Sequence, residues 1–223
     1  MPSVKFRRSV LRVIAGLALG VIGANSAFAQ ATAAPGTFDY YVLALSWSPE
    51  HCAGAAGAGD KSQCGPVRHG FQVHGLWPQY RAGGWPERCG PAGSVPRAVI
   101  ARNLDVIPAE NLIRHQWARH GTCSGLTVAA YLDLMRAARD AVKLPPGYRA
   151  PNAAIRTHAA ALRAAFAAAN PGFMPEAFVA QCRGRHLAEV RVCLDKTLAP
   201  VQCGADVAGD DCGSRSITVR PLS

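Results

Sequence analysis

The chain has few acidic residues, almost no lysine beyond its N-terminus, no internal repeat, no Cys-x-x-Cys pair and no apolar run of membrane-spanning length. Each absence narrows the possibilities. A bilayer-crossing helix needs roughly 20 apolar residues, and the apolar run at 13–22 falls short of that. Without repeats there is no solenoid or propeller to expect. Dispersed cysteines argue against a zinc site, which usually starts from closely spaced ligand pairs. No strongly amphipathic basic helix is present to hold the chain on a membrane surface. The scarcity of carboxylates leaves 24 Lys and Arg against 14 Asp and Glu, a formal charge of +10 over 223 residues.

The N-terminus accounts for part of that excess. Lys5, Arg7, Arg8 and Arg12 precede the apolar run, and Ala27-Phe28-Ala29 ends it in small residues. This is the layout of a secretory signal peptide, so residues 1–29 are expected to be removed and 30–223 to form one domain. Arg7-Arg8 hints at twin-arginine export, but the residues that follow do not complete that pattern, and ordinary secretion to the periplasm or medium is the expectation. With those four cations gone, 20 basic residues remain against 14 acidic ones, a surplus of six. Lysine then survives only at 61, 143 and 196, so most of the charge is guanidinium, which pairs bidentately with phosphate. A polyanionic partner fits this balance, and so does an ordinary solvated basic surface. All 8 cysteines (Cys52, Cys64, Cys89, Cys123, Cys182, Cys193, Cys203 and Cys212) lie in the mature part. An even number in an exported chain predicts a disulfide framework.

Along the mature chain, 38–47 is aromatic and β-branched and reads as a buried strand before Ser48-Pro49. The Ala/Gly-rich stretch 52–64 reads as a loop. Residues 68–76 form a second strand, which Trp77-Pro78 is expected to stop. A Gly/Pro-rich loop covers 81–96, and a helical pattern with Val99, Ile100, Asn103 and Leu104 runs from Pro96 to Pro108. Further helices are predicted over 110–120, over 126–142 with Thr127 as cap, and through Ile155, Ala159, Leu162 and Phe166 until Asn170-Pro171-Gly172. Residues 186–194 alternate like a half-buried strand, beside which 216–219 could pair. Separated strands and helices in this mixture argue for an α+β fold.

Two segments concentrate chemistry-bearing residues: 71–79 (FQVHGLWPQ) and 115–123 (HQWARHGTC). If the second is helical, His115, Arg119, Gln116 and His120 span an arc of about 140°, with Trp117 and Ala118 outside it. Apolar packing would not select two imidazoles, an amide and a guanidinium together, but a phosphodiester would. RNA carries its own nucleophile, so its cleavage needs a base for the 2′-hydroxyl, an acid for the departing 5′-oxygen and cationic donors around phosphorus. Two histidines meet that need near neutral or mildly acid pH, because an unperturbed imidazole titrates at about 6.5. His51, His69, His158 and His186 read as structural or surface residues. His74 and His120 differ, each lying beside a glycine and near rigid groups, Trp77-Pro78 and Cys123.

These two blocks resemble the ribonuclease T2 family of secreted acid endoribonucleases. His74-Gly75-Leu76-Trp77-Pro78 is similar to its first active-site segment, and the stretch from His115 through His120-Gly121-Thr122-Cys123 to its second. A weaker likeness runs from Tyr40 to Cys212. The resemblance implies His120 as general base, His74 as general acid, His115 as a phosphate contact and Arg119 at a position usually lysine. It also implies a base-stacking role for Trp77, which could equally be a core residue. Gln116 stands where the family commonly has glutamate, and Gln79 replaces an acidic residue that contacts the base in some members, so base preference does not transfer. By the same resemblance Cys52 pairs with Cys64, Cys89 with Cys123, Cys182 with Cys212 and Cys193 with Cys203.

The expectation is an α+β domain whose central antiparallel sheet is flanked by helices. It would cleave RNA but not DNA, with no metal or other cofactor and no stable membrane association; the oligomeric state is open, with a monomer favoured. Rival readings are a catalytically weak RNA-binding relative that lost activity with the glutamate, a cationic exported protein acting on membranes or a partner, and a metallohydrolase using the histidines as ligands.

Overall fold

A computed structural model describes residues 33–209 and 212–222. The leader expected at 1–29 lies outside the described residues. The fold is α+β, organised on β1 (Tyr40–Trp47), whose run YYVLALSW is buried along nearly its whole length. Continuous apolarity fits a strand covered on both faces. β1 pairs antiparallel with β2 (Phe71–Gln79) on one side and β5 (His186–Leu194) on the other. β4 (Phe178–Arg183) pairs antiparallel with β5, and β3 (Ile155–His158) antiparallel with β6 (Ser216–Val219). β6 joins β5 through one parallel contact, His186 opposite Thr218. The sheet is therefore almost wholly antiparallel.

Tyr41, Leu43, Leu45 and Trp47 project from β1 into the main core, while Tyr40 and Val42 join a smaller cluster with Val179, Cys193, Cys203 and Val207. This is the period of two of a strand serving both faces. Helices α4 (Glu110–Arg119), α5 (Val128–Ala141) and α7 (Ala159–Ala169) cover the main core with Ile113, Trp117, Tyr131, Met135, Leu162 and Phe166. Each fully buried leucine or phenylalanine here, such as Leu43, Leu76 or Phe166, contributes about 1.5–3 kcal/mol. Thr127 caps α5 by accepting from the Ala130 N–H at 3.3 Å. Shorter helices α1 (Ser48–Ala53), α2 (Lys61–Cys64), α3 (Arg97–Ala101), α6 (Pro146–Arg149) and α8 (Ala205–Ala208) occupy the connections. Disulfides join Cys52 to Cys64, Cys89 to Cys123, Cys182 to Cys212 and Cys193 to Cys203.

Four elements differ from the sequence expectation. β2 does not stop at Trp77-Pro78: Pro78 sits in the ladder opposite Tyr41, which a proline can do because β2 is the end strand of the sheet. Residues 155–158 are a strand rather than the first turn of α7. Ile155 and Thr157 are β-branched at spacing two and pair with Val219 and Ile217. The stretch 52–64 is not plain loop but holds the end of α1, a single 3-10 turn at Ala55–Gly57, and α2. β4 is absent from the sequence expectation, since FVAQCR is buried continuously over its first four residues and shows no alternation to mark it as a strand.

Candidate active site

The first half of the site comes from the sheet. In the β1–β2 ladder Ala44 opposes Gly75 and Leu45 opposes Val73, so His74 is the extra residue of a β-bulge. Strict alternation would put Phe71, Val73, Gly75 and Trp77 on one face. The bulge resets the parity, so that Phe71, Val73 and Leu76 pack against the main core while Trp77 joins the smaller cluster on the other face. β5 repeats the device. Glu189 opposes Gln181 and Leu187 opposes Cys182, leaving Ala188 extra. Leu187, Val190 and Val192 stay in the main core, and Cys193 faces the smaller cluster.

Glu189 and Arg191 thereby meet His74. His74 Nδ1 lies 2.8 Å from Glu189 Oε2. Arg191 Nε donates to Glu189 Oε1 at 2.9 Å, and the Ser46 hydroxyl to Oε2 at 3.4 Å. Burial opposes ionisation of Glu189, but hydrogen bonding from His74 and the charges of His74 and Arg191 outweigh it and hold the carboxyl below its ordinary range.

The second half comes from α4. Ile113 and Trp117 turn into the core, and the neighbouring positions carry His115, Gln116 and Arg119. His120 is the residue at the helix end, its N–H donating to the Gln116 carbonyl at 3.0 Å. Gly121 follows because a Cβ there would collide with the rings of Trp117 and Tyr131. The chain is then pinned twice to the 81–96 loop, by the Cys89–Cys123 disulfide and by the Arg88 N–H donating to the Arg119 carbonyl at 2.8 Å. The same loop supplies Glu87, which accepts from Arg119 Nε at 2.8 Å.

The two halves meet in one cleft of about 320 Å³, lined by His74, Trp77, His115, Gln116, Arg119 and His120 together with Val42, Gln79, Trp85, Arg191, Asp206 and Val207. Trp77 is their common contact. Its ring centroid lies 5.1 Å from that of His74 and 5.5 Å from that of His120, the Arg191 guanidinium lies 5.6 Å over its ring, and its Nε1 donates to Gln116 Oε1 at 2.8 Å. Gly75 makes that last bond possible, because a Cβ there would overlap both Gln116 Oε1 and Trp77 Nε1. Gln116 is thus almost fully buried, at 1 % exposure, with its carbonyl committed to Trp77.

The two imidazoles are in unlike surroundings. His74 keeps 41 % of its side chain exposed and holds a carboxylate. His120 is 8 % exposed, and among the described residues its buried Nδ1 has no hydrogen-bond partner. Burial first, then the positive charges of Arg119, His115 and His74, push the His120 imidazole down to about 3. Burial and the charges of Arg119, His74 and Arg88 lower His115 as well. Burial and the facing cations favour the neutral form of His120, whereas the Glu189 carboxylate bonds directly to the His74 ring.

Every residue that the sequence singled out for the site lies in this cleft. Arg191 and Trp85 also line it, and Glu189 reaches it from the adjoining cleft through His74; all three were missed by sequence reasoning. Glu189 and Arg191 are hidden in the polar positions of an alternating strand. Trp85, 51 % exposed among Gly83, Gly84 and Pro86, was detectable as a large aromatic in a segment too poor in apolar residues to bury it. Among the described residues, no group of three or more His, Cys, Asp or Glu side chains is placed to hold a metal ion.

The model of the ribonuclease T2 family matches residues 38–203. A ribonuclease of Aeromonas hydrophila is 46 % identical over 102 residues, covering 46 % of this chain and 45 % of its own length. A probable ribonuclease of Haemophilus influenzae is 34 % identical over 138 residues, covering 56 % and 50 %. The matched segments therefore span about half of each of these relatives. In three dimensions the chain is similar to RNase NT, a structure described in complex with 5′-AMP, with a TM-score of 0.63 and 24 % identity over 82 % of this chain and 98 % of that one.

Proposed function

Because this chain belongs to the ribonuclease T2 family, we propose that it is an endoribonuclease that cleaves RNA by general acid–base chemistry between His120 and His74. The observation that carries the reading is the unlike pair of imidazoles lining one cleft against one tryptophan. His120, held neutral by burial and neighbouring cations, takes the proton of the 2′-hydroxyl. The O2′ attacks phosphorus, the P–O5′ bond breaks, and His74 gives its proton to the departing O5′. The products are a 2′,3′-cyclic phosphate and a 5′-hydroxyl. In a slower second step water replaces O5′: neutral His74 takes its proton, the P–O2′ bond breaks, and His120 returns a proton to O2′, leaving a 3′-phosphate.

Arg119 supplies positive charge and His115 a hydrogen-bond donor beside the reacting phosphate in this scheme, the neighbouring charges being those that hold both imidazoles of the helix half down. Binding of the anionic diester offsets those charges and raises the basicity of His120 toward a useful range. Gln116 positions Trp77 and so fixes the gap between the histidines. Trp85, exposed at the rim, offers a π-face to a base, which tolerates any of the four and implies little base specificity. DNA, lacking the 2′-hydroxyl, should resist. Export to an oxidising compartment, periplasmic or extracellular, belongs to the same reading and is supported by the four disulfides; among the described residues no helix is long and apolar enough to cross a membrane.

The test is digestion of an RNA oligomer and its DNA counterpart with chelator present, the new 3′ ends being read by mass spectrometry. RNA fragments ending in cyclic phosphate, with DNA intact, are expected. Equal cleavage of DNA, or abolition by the chelator, would reject the mechanism. RNA binding without cleavage would identify a non-catalytic relative.

A further inference from the structure

We propose that Glu189 is a positioning residue for His74, fixing the ring through Nδ1 so that Nε2 is the nitrogen that hands the proton to the leaving oxygen. This rests on the acid role given to His74 above. Three observations carry it. The Nδ1···Oε2 distance of 2.8 Å is that of a strong charge-assisted bond. Glu189 is 7 % exposed, and its own orientation is fixed on both oxygens, by Arg191 Nε at 2.9 Å and the Ser46 hydroxyl at 3.4 Å. A β-bulge on each strand, at His74 and at Ala188, is what turns these side chains to one face. Bulges of this kind re-aim side chains, and here two of them converge on one hydrogen bond.

The consequence is chemical. A carboxylate accepts only, so the proton on Nδ1 stays on the Glu189 side, and the proton to be transferred is the one on Nε2. Glu189 also supplies negative charge to balance the protonated ring. Among the described residues His120 has no such group: the charged side chains that act on it are Arg119 and His115 from the helix half and His74 itself. The other charged groups around His74 are Arg191 from β5 and, across the adjoining cleft, Arg183 from β4 and His51 from α1. Glu189 is the carboxylate that contacts the ring.

The test compares wild type, H74A and E189Q on two substrates, an RNA oligomer and uridine 3′-(4-nitrophenyl phosphate), whose nitrophenolate departs without a proton. E189Q keeps the shape of the side chain and removes its charge. We expect its kcat on RNA to fall on the order of 10²-fold, the lower end of what a positioned acid contributes. KM should change little, and the alkaline limb of the kcat profile should move to lower pH. On the nitrophenyl ester E189Q should stay within a few-fold of wild type, as H74A should. Wild-type kcat and pH profile for E189Q on RNA, with H74A inactive, would overturn the role of Glu189 alone. Equal loss on both substrates would reduce it to a structural brace. Wild-type RNA cleavage by H74A would overturn the acid assignment, and Glu189 with it.

Discussion

The sheet half and the helix half of the cleft each deliver a histidine, by opposite means. On α4, His115, Gln116, Arg119 and His120 fall within six consecutive residues, and ordinary helical geometry presents them together. In the sheet, His74 meets Glu189 across 115 residues of sequence, and only because two register shifts break the alternation that strands otherwise follow. The helix half is cationic and leaves its imidazole buried and without a carboxylate. The sheet half buries a carboxylate and leaves its imidazole open to the cleft. In the proposed mechanism this difference divides the work: the ring held neutral takes up the proton, and the ring held by Glu189 of β5 delivers one.

The comparison can be broken most severely at the histidines. H120A and H74A should each lower kcat/KM on RNA by about 10²–10⁴-fold, the range a positioned proton-transfer group contributes. Steady-state kinetics on a defined oligomer checks this; a variant with more than half of wild-type activity would remove its residue from the mechanism.

A smaller effect comes from closing the seam between the halves. In G75A the added methyl must push aside Gln116 Oε1 and Trp77 Nε1, separating the indole from the amide that fixes it. An overpacked site of this kind costs about 1–3 kcal/mol, and a displacement near 1 Å is enough for about 10² in rate. Thermal unfolding and kinetics together should show a larger loss of activity than of stability. Unchanged activity would mean that Trp77 does not set the spacing.

The smallest expected effect sharpens the electrostatic side. Activity falls as pH drops through the point where the base becomes protonated, and His120 is depressed to about 3, below the ordinary 6.5. The acid limb of kcat/KM should therefore lie well below pH 6.5. Q116E places a carboxylate on the helix half, favours the protonated ring and should move that limb to higher pH, with less than about a tenfold change near neutrality. An unmoved limb would mean that the limb reports another group.

The contrast also explains what could be read from the sequence. The helix half was legible because its chemistry is contiguous and its period is regular. His74 was legible as a residue type in a distinctive block, but its orientation was not, since a bulge leaves no compositional trace. Glu189 and Arg191 sit in the polar positions of 186–194, where alternation reads as a face turned to solvent; only the pairing of β5 with β1 brings that face to the cleft. Similarly, Pro78 reads as a strand stop because its place at the sheet edge is a property of topology. Ile155–His158 reads as helix because Ile155 happens to lie in phase with Ala159, Leu162 and Phe166. The α+β class followed from the element mixture, and β4 escaped because FVAQCR does not alternate, its first four residues all being buried.

The division of labour between the histidines is tested most directly by assaying H74A and H120A on uridine 3′-(4-nitrophenyl phosphate). With a leaving group that needs no proton, H74A should recover to within a few-fold of wild type while H120A stays impaired, because the 2′-hydroxyl still requires its base. Recovery of H120A with H74A still impaired would reverse the roles, and equal impairment of both would contradict the division itself.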